Sequence, residues 1–339
     1  MKKAVILFNL GGPDKLESVE PFLFNLFNDP AIISIPSIFR YPLAKIISKK
    51  RAPIAKNIYK EIGSKSPILE LTQNQANSLE NSLSKHGDYK CFIVMRCWNP
   101  RAKDVIKKVI EYNPNEVILL PLYPQYSAAT SGSSIKEWKD LCEKENYKTK
   151  IKIICCYPTE NNFIMSHANL IRKTIENLEN KNFKLIFSAH GLPKNKIKKG
   201  DPYQWQVEKT VEGVMSKFTS ENLDFLISYQ SRVGPLKWIG PSTDEVIIKY
   251  SKEKKGIVIV PVAFVSEHSE TLVELDIEYK KLAEKNGCSF YKRVPALGIE
   301  KNFIKGLTEL VLQKETRENF VSSVMCPNKY VKCPCLTTK

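Results

Sequence analysis

Residues 184–193 read KLIFSAHGLP, an apolar run that ends in a histidine between small residues. A second run, IVIVPV at residues 257–262, leads into the acidic segment SEHSE at 266–270. Both runs are continuous rather than alternating, which is typical of strands that are buried on both faces of a parallel sheet. These two stretches therefore predict parallel strands that end in chemically active side chains.

Similar short runs recur along the chain, at intervals that leave room for a helix between them. They cover residues 4–10, 92–96, 117–122, 151–155, 225–229 and 290–294. Segments with helical periodicity lie between the runs, at residues 74–83, 102–112, 163–178, 205–217, 271–285 and 303–314. Alternation of strands and helices predicts an α/β fold with parallel sheets and right-handed crossovers.

The predicted strands divide equally between the two halves of the chain. A chain of 339 residues fits two domains of ordinary size better than one. We therefore predict two Rossmann-like domains, each a four-stranded parallel sheet flanked by helices. Their predicted limits are residues 1–160 and 161–315, followed by a tail at 316–339 that contains three cysteines.

The composition is that of an ordinary globular protein, with 42% hydrophobic and 26% charged residues. The sequence has no apolar stretch of roughly 18 residues and no signal-peptide pattern, so we expect a cytoplasmic protein. The net charge of +16 has two interpretations: lysines spread over helix surfaces, or attraction to an anionic membrane or an acidic substrate. No nucleic-acid-binding motif occurs, and we predict no nucleic-acid partner.

Residues 32–51 read IISIPSIFRYPLAKIISKKR and break the strand–helix pattern. They combine large apolar residues, two prolines and a basic end. One interpretation is a loop and helix that cover the core. The other is an exposed apolar lip that contacts a membrane or an apolar substrate, which would place the protein peripherally at the inner membrane.

Polar side chains follow several of the predicted strands. Ligands of open α/β sheets bind beyond the carboxyl ends of the strands. His190 follows the run 184–188, and the acidic segment 266–270 follows the run 257–262. A lone histidine is more often structural than catalytic, but a place at this edge beside Gly191 favours a functional role. We therefore predict a single cleft that is lined by a histidine, carboxylates, aromatic residues and an arginine.

Four glutamates, Glu267, Glu270, Glu274 and Glu278, are spaced by three, four and four residues. On a helix they share one face. The simplest interpretation is a solvated helix face. However, four like charges in a row repel each other, and this cost is better explained if a cation or a proton visits the row.

Signature motifs of several other enzyme classes are missing. Gly11-Gly12 follows the first predicted strand without the G-x-G-x-x-G pattern, and neither a P-loop lysine nor a G-x-S-x-G elbow occurs. These absences disfavour dinucleotide binding, nucleotide binding and serine hydrolysis.

Six blocks of the sequence resemble those of ferrochelatases. They are FNLGGP (8–13), RAPIAKNIY (51–59), LPLYPQYS (120–127), FSAHGLP (187–193), YQSRVGPLKWIGPST (229–243) and VPVAFVSEHSETLVELDIEY (260–279). The resemblance implies two Rossmann-like, chelatase-type domains with a porphyrin cleft between them. It also implies a lyase that inserts Fe²⁺, its substrate, into protoporphyrin IX, forming protohaem and releasing two protons.

Other functions stay open beside this one. The porphyrin can be coproporphyrin, the metal can be cobalt, or the protein can be a tetrapyrrole-binding carrier without turnover. The row of glutamates favours an enzyme, because a carrier needs no route for a metal. A homodimer also stays open as the assembly.

The resemblance implies roles for individual residues. His190 and Glu270 match the pair that holds the metal and abstracts protons. The path for metal and protons that it implies consists of Glu267, His268, Glu274 and Asp276. The porphyrin-binding residues that it implies are Leu10, Arg51, Arg96, Tyr123 and Trp238. One departure from the family is Cys97-Trp98, since an aromatic residue often follows the arginine directly, and this bears on the packing of that wall.

Cys326, Cys333 and Cys335 form a C-x6-C-x-C pattern near the carboxyl end. Three thiolates at this spacing suit a zinc or iron–sulfur site, whereas the simpler interpretation is a tail with idle thiols. Some ferrochelatases carry a 2Fe–2S cluster on three such cysteines and one interior cysteine. Cys155 and Cys156 are adjacent on a strand end, so only one of them can face the cluster. We predict Cys156 as the fourth ligand.

Overall fold

The computed structural model of the chain describes residues 1–179, 182–232, 234, 236–314 and 319–337. The chain divides into two compact units. The first consists of Met1–Tyr123, Ser127–Cys155 and Leu307–Val321, and the second of Pro124–Tyr126, Cys156–Gly306 and Ser322–Lys339. A segment near the carboxyl end thus belongs to the first unit, whereas the domain limits predicted from the sequence divide residues 307–321 between the second domain and the tail. Residues 316–318, 338 and 339 of that predicted tail lie outside the described residues.

The strands coincide with the apolar runs in the sequence. They are β1 (Lys2–Asn9), β2 (Asp88–Met95), β3 (Glu116–Pro121), β4 (Lys150–Cys156), β5 (Phe183–His190), β6 (Phe225–Gln230), β7 (Gly256–Pro261), β8 (Tyr291–Arg293) and β9 (Phe320–Ser322).

The helices lie between the strands. They are α1 (Val19–Phe27), α2 (Ser37–Lys60), α3 (Ile68–Leu83), α4 (Ala102–Tyr112), α5 (Ser131–Lys144), α6 (Asn161–Ile175), α7 (Lys194–Lys198), α8 (Tyr203–Met215), α9 (Thr243–Lys252), α10 (Tyr279–Lys285), α11 (Lys301–Leu312) and α12 (Pro334–Thr337). A π-helix, Glu270–Glu278, directly precedes α10, and short 3-10 turns cover Leu16–Ser18 and Ser84–His86.

The first unit is built on a sheet with the strand order β2-β1-β3-β4-β9 among the described residues. The first four strands run parallel, with Ile6 of β1 opposite both Phe92 and Leu119. Four successive residues of β1, residues 4–7, are fully buried. A strand that is covered on both faces must be apolar throughout, which is why these runs do not alternate.

The second unit is built on a parallel sheet with the strand order β6-β5-β7-β8 among the described residues. Ile186 of β5 lies opposite Ile259 of β7, and both are fully buried. Val246 of α9 and Tyr279 of α10 pack against the same core. The predicted fold class, α/β with two parallel sheets flanked by helices, is confirmed, and the first sheet has one strand more than predicted, the three-residue β9.

The apolar segment at 32–51 lies largely within α2. The helix buries its small residues Ala44, Ser48 and Ala52, while Ile38 and Phe39 are 75% and 64% exposed. The small residues face the core because they let the helix backbone approach its neighbours closely. The large side chains of Ile38 and Phe39 point to solvent instead. None of the described helices has the length and apolarity needed to cross a lipid bilayer.

Candidate metal and proton site

His190 and Glu270 meet at the carboxyl end of the second sheet. His190 is the last residue of β5, and Glu270 begins the π-helix that follows β7. The Nδ1 atom of His190 lies 2.8 Å from Oε2 of Glu270. The two side chains are 43% and 25% exposed. A small ligand can therefore reach both of them.

Each member of this pair shifts the pKa of the other. Burial lowers the pKa of His190, but the charge and hydrogen bond of Glu270 outweigh burial and hold that pKa above its usual value. Burial raises the pKa of Glu270, but the charge of His190 outweighs it, so the pKa of Glu270 lies below its usual value. The pair therefore binds a proton between its members. A divalent cation would displace this proton, because metals bind neutral imidazole and ionised carboxylate.

Glu274 lies one helical turn further along the π-helix and is held by four donors. Its carboxylate accepts hydrogen bonds from the Ser231 N–H (2.9 Å), the Ser231 hydroxyl (2.5 Å), the Gln230 amide (2.9 Å) and the Tyr279 hydroxyl (2.9 Å). Burial and the nearby charge of Glu270 raise the pKa of Glu274. The pKa values of the two carboxyls are thus pushed apart, as in sites where one carboxyl stays ionised and the other takes up protons.

Ser231 links these two carboxyls. Its hydroxyl lies 3.5 Å from Oε2 of Glu270 as well as 2.5 Å from Oε2 of Glu274. Its backbone has a φ of +59°, a left-handed conformation that is uncommon for serine. This conformation allows the N–H and the hydroxyl of one residue to bind the same carboxylate. Such strain is typical of functional loops that follow a strand.

Glu267 and Asp276, two further residues of the predicted path, are both bound to Arg293 of β8. The guanidinium lies 2.8 Å from Glu267 and makes a two-pronged contact with Asp276 at 2.6 and 2.7 Å. Burial raises the pKa of Glu267, but Arg293 outweighs burial and lowers it. Two of the predicted path residues therefore carry charges that are already compensated.

His268, the remaining residue of the predicted path, is buried beside the aromatic ring of Phe264. The two ring centroids are 4.8 Å apart. Burial lowers the pKa of His268 below its usual value. Its Nδ1 atom has no hydrogen-bond partner within the described part of the chain. The imidazole is thus held neutral close to the His190–Glu270 pair.

The row of glutamates does not share one face. The sequence predicts an ordinary helix over 271–285, whereas the structure has the wider π-helix up to Glu278 and an α-helix only from Tyr279. Glu270 and Glu274 turn towards Ser231, Glu267 precedes the helix and faces β8, and Glu278 is exposed to solvent. π-helical turns are frequent at functional sites. They change the spacing at which residues share one face of the helix.

Trp238, a predicted porphyrin contact, lies close to the end of β5. It pairs with Pro193 in an isolated antiparallel bridge. A Cβ atom added at Gly191 would lie 3.3 Å from the Trp238 ring and 2.9 Å from the Gln230 carbonyl oxygen. Glycine is therefore required at position 191, because any side chain would push the tryptophan or β6 away from His190.

The other predicted porphyrin contacts belong to the first unit. Arg96 is bound by Asp29 (2.9 Å), Glu137 (3.1 Å) and the Ser133 hydroxyl (2.8 Å), so its charge is already compensated. Arg51 is exposed on α2, and its guanidinium lies 5.9 Å from the centroid of the Phe27 ring.

Leu10 and Tyr123 each follow a strand of the first sheet. Leu10 is partly buried against a cluster that includes Phe22 and Cys97, the residue at which the sequence departs from the family pattern. Tyr123 is also partly buried, and burial raises the pKa of its hydroxyl.

A cluster of buried thiols lies in the second unit. The Gln206 amide nitrogen is 3.3 Å from the Cys156 sulfur and 3.2 Å from the Cys326 sulfur. Cys326 is hydrogen-bonded to Cys333, and this contact, with burial, raises the pKa of Cys326. The sulfur atoms of Cys333 and Cys335 lie within 4.8 Å of each other. No disulfide joins any of them. Soft sulfur donors gathered in this way fit an iron–sulfur cluster or zinc.

The groups that hold Glu274 are not among the residues predicted from the sequence. Gln230 and Ser231 follow β6 directly, so the rule that ligands bind beyond the ends of strands could have found them. Tyr279 carries no such signal. It reaches Glu274 five residues away because the intervening helix is wider than an α-helix.

Comparison with known proteins agrees with the family resemblance of the sequence. The sequence model of the ferrochelatase family matches residues 2–315. A ferrochelatase of Pelagibacter ubique is 64% identical over 99% of both chains. A ferrochelatase of Rickettsia felis is 49% identical over the whole of both chains.

Among solved structures, the fold is similar to that of SirB from Bacillus subtilis with Fe³⁺. The TM-score is 0.56 at 12% identity, covering 92% of this chain and 95% of SirB. The sirohydrochlorin chelatase SirB in complex with cobalt gives a TM-score of 0.51 at 10% identity, covering 90% of this chain and 92% of the other. This likeness concerns the fold. On the family match and the high identity to its members, the chain belongs to the ferrochelatases, the lyases that insert ferrous iron into a porphyrin in haem biosynthesis.

Proposed function

We propose that the porphyrin is protoporphyrin IX and that His190 and Glu270 receive Fe²⁺ and take up the pyrrole protons. The observation that carries this proposal is the 2.8 Å contact between an imidazole and a carboxylate, both accessible, at the end of a parallel sheet. One nitrogen and one carboxylate oxygen bind a cation less tightly than a closed set of three or four ligands. Such a pair suits a metal that must be passed on.

The reaction requires a base, because iron binds four pyrrole nitrogens only after two N–H protons have left. Neutral histidine is suited to this task near neutral pH, and the neighbouring Glu270 stabilises the imidazolium that forms. Glu274, with its raised pKa, is the next group able to take the proton. Each turnover converts one Fe²⁺ and one free-base porphyrin into haem and two protons.

The porphyrin contacts that we propose from the resemblance are Leu10, Arg51, Arg96, Tyr123 and Trp238. Of these, Trp238 has the clearest support, because it is wedged against Gly191 and offers an apolar surface that can press the ring out of plane. Arg96 acts differently from a free guanidinium. Since Asp29 and Glu137 already compensate its charge and fix its position, we propose that Arg96 contacts the porphyrin without forming an ion pair with a propionate.

An anaerobic assay with Fe²⁺ and protoporphyrin IX tests the activity and the roles of the pair. We expect His190→Ala to abolish metal insertion while the circular dichroism spectrum stays unchanged. The matched control is His86→Ala, because His86 is exposed in a 3-10 turn outside the site. Parallel reactions with coproporphyrin and with Co²⁺ separate the two enzymatic alternatives. Porphyrin binding without any turnover would instead identify a carrier.

We also propose a 2Fe–2S cluster held by Cys326, Cys333, Cys335 and one interior thiol, Cys156. The cysteine pattern and the gathering of buried thiols around Gln206 support it. When bound, such a cluster would cross-link the carboxyl-terminal cysteines to Cys156 at the end of β4, and this cross-link would depend on iron and on the redox state. Iron and sulfide analysis of anaerobically purified Cys326→Ser, Cys156→Ser and Cys155→Ser tests it. Loss of the cluster in Cys155→Ser alone would move the fourth ligand to Cys155, and colourless wild-type protein without iron would refute the cluster.

For location, we propose a cytoplasmic protein that attaches peripherally to the inner membrane through α2. The exposed Ile38, Phe39 and Ile46 and the lysines on the same helix support attachment to an anionic surface. We expect the triple variant with serine at these positions to lose flotation with anionic vesicles and to keep its activity on detergent-solubilised porphyrin. Unchanged flotation would refute the attachment.

A further inference from the structure

A continuous set of hydrogen-bonding groups leads away from the His190–Glu270 pair. The Ser231 hydroxyl lies between the carboxyls of Glu270 and Glu274. On the far side of Glu274, the Tyr279 hydroxyl lies 2.9 Å from Oε1. Tyr279 is the first residue of α10, and its ring is buried in the core beside α9.

A second carboxylate, that of Asp244, lies close enough to the Tyr279 hydroxyl for the two groups to affect each other's pKa. Asp244 lies in the first turn of α9, whose start is fixed by a capping box between Ser242 and Glu245. The residue is exposed to solvent. Asp244 is therefore a solvent-exposed neighbour of a buried hydroxyl.

The single proton of the Tyr279 hydroxyl can serve only one of its two carboxylate partners at a time. A phenol has one donor and two lone pairs, and an ionised carboxylate can only accept. When Tyr279 donates to one carboxyl, the other is satisfied only if it is protonated. Burial raises the pKa of both Glu274 and Asp244, which favours an additional proton in this group. The charged groups that face it are Glu270, Arg232 and Glu245.

The other acidic branch is less suited to carry protons. Asp276 and Glu267 are bound by Arg293 at 2.6 to 2.8 Å. Charge-assisted hydrogen bonds of this kind stabilise the ionised carboxylate strongly. Burial raises the pKa of Glu267, but Arg293 outweighs burial and lowers it, so this carboxyl takes up a proton less readily than Glu274.

We infer that Tyr279 and Asp244 carry the protons of metal insertion from Glu274 to solvent. This inference rests on the proposed function of the His190–Glu270 pair. In each transfer, protonated Glu274 gives its proton to the Tyr279 oxygen while the Tyr279 hydroxyl proton passes to Asp244, and Asp244 then releases it to water. In this route both residues act through Glu274 and not directly on the porphyrin or the iron, so they are positioning residues.

Tyr279→Phe and Asp244→Asn test this route in the anaerobic assay with Fe²⁺ and protoporphyrin IX. We expect kcat to fall about tenfold in each variant, the KM for porphyrin to stay unchanged, and the solvent deuterium isotope effect on kcat to increase, because proton release becomes limiting. Asp244→Glu should restore most of the rate, since it keeps the carboxyl group.

The matched control is Tyr291→Phe. Tyr291 donates its hydroxyl hydrogen bond to the Leu275 carbonyl oxygen of the same π-helix, and within the described residues no hydrogen bond joins it to Glu274 or Asp244. We expect its kcat and isotope effect to stay within about twofold of the wild type. Equal losses in the control would show that a disturbed helix, not a lost relay, lowers the rate.

Other outcomes separate this inference from the proposed function. Unchanged kcat and isotope effect in both variants, together with loss of activity in His190→Ala, would overturn the relay and leave the proposed function standing. No insertion by the wild-type protein would overturn both. Should Tyr279→Phe fail to fold, Asp244→Asn at the exposed end decides the question alone.

Discussion

The imidazole of His190 and the carboxylate of Glu270 lie 2.8 Å apart, although 80 residues separate them in the chain. Neither element alone brings them together. His190 lies at the carboxyl end of β5, and Glu270 lies at the same edge of the sheet because it follows the neighbouring strand β7. The acid–base properties of the site are therefore a product of the tertiary fold.

Glu270→Gln is expected to lower the pKa of His190. The charge of Glu270 raises this pKa against the opposing effect of burial, so removing the charge leaves burial to dominate. Because the rate requires neutral imidazole, the acidic limb of the pH–rate profile of residual activity should move to lower pH. NMR titration of the His190 ring measures the same shift directly. A pKa that stays in place would contradict the coupling.

His167→Leu is expected to make the protein less sensitive to acid. His167 is 1% exposed in α6, and burial lowers its pKa to about 3. In the unfolded chain His167 binds a proton with its ordinary pKa of about 6.5, whereas in the folded chain it stays neutral. The free energy of unfolding therefore decreases as the pH falls below that value. Between about pH 6.5 and pH 5 this one group costs about 2 kcal/mol. Urea unfolding at both pH values, with exposed His86→Leu as control, measures the difference.

Arg293→Ala is expected to destabilise the fold by about 2–4 kcal/mol. The reason is that Glu267, of which 22% is exposed, and Asp276 would keep their negative charges without the compensating guanidinium. Lys280→Ala, which breaks an exposed pair with Glu284 at 4.0 Å, should cost less than about 0.5 kcal/mol. Denaturant titration of both variants tests this contrast. Equal effects would mean that the Arg293 pairs contribute no more than a surface ion pair.

Gly191→Ala is expected to reduce both activity and stability. The new methyl group meets backbone oxygen at 2.9 Å and the Trp238 ring at 3.3 Å, and neither can move without displacing the end of the sheet. Overpacking of this kind costs about 1–3 kcal/mol. In Gly213→Ala the methyl group meets only the flexible Ile164 side chain, so we expect near-normal stability. Thermal unfolding and kcat of the two variants provide the comparison.

Much of the fold could be predicted because strands that are buried on both faces must be apolar throughout. That is why the runs at 184–188 and 257–262 locate β5 and β7 closely. β9 was missed because three residues form a strand only when a neighbouring strand is already in place. The helices α1, α5 and α9 lie outside the segments whose periodicity predicts a helix, since their burial depends on neighbours that a local pattern does not reveal.

Site residues that directly follow a strand could be predicted from the sequence, whereas contacts made by residues from distant parts of the chain could not. His190 could be singled out because a histidine that ends an apolar run is conspicuous. The compensation of Arg96 by Asp29 and Glu137 involves residues far away in the sequence, so no local pattern predicts it. The contact between Tyr279 and Glu274 depends on a shift of backbone hydrogen bonds, which residue spacing alone does not encode.

The π-helix holds one residue more than an α-helix of the same length would. Deleting a residue such as Ile277 would allow a regular α-helix, in which the tyrosine would follow Glu274 at a spacing of four residues instead of five. Residues four apart share one face of an α-helix, so the side chains of Glu274 and Tyr279 would still meet. A deletion inside an α-helix has no such compensation and rotates the residues after it by about 100°. Natural variants should therefore tolerate a one-residue gap in this segment more readily than in the regular helices around it.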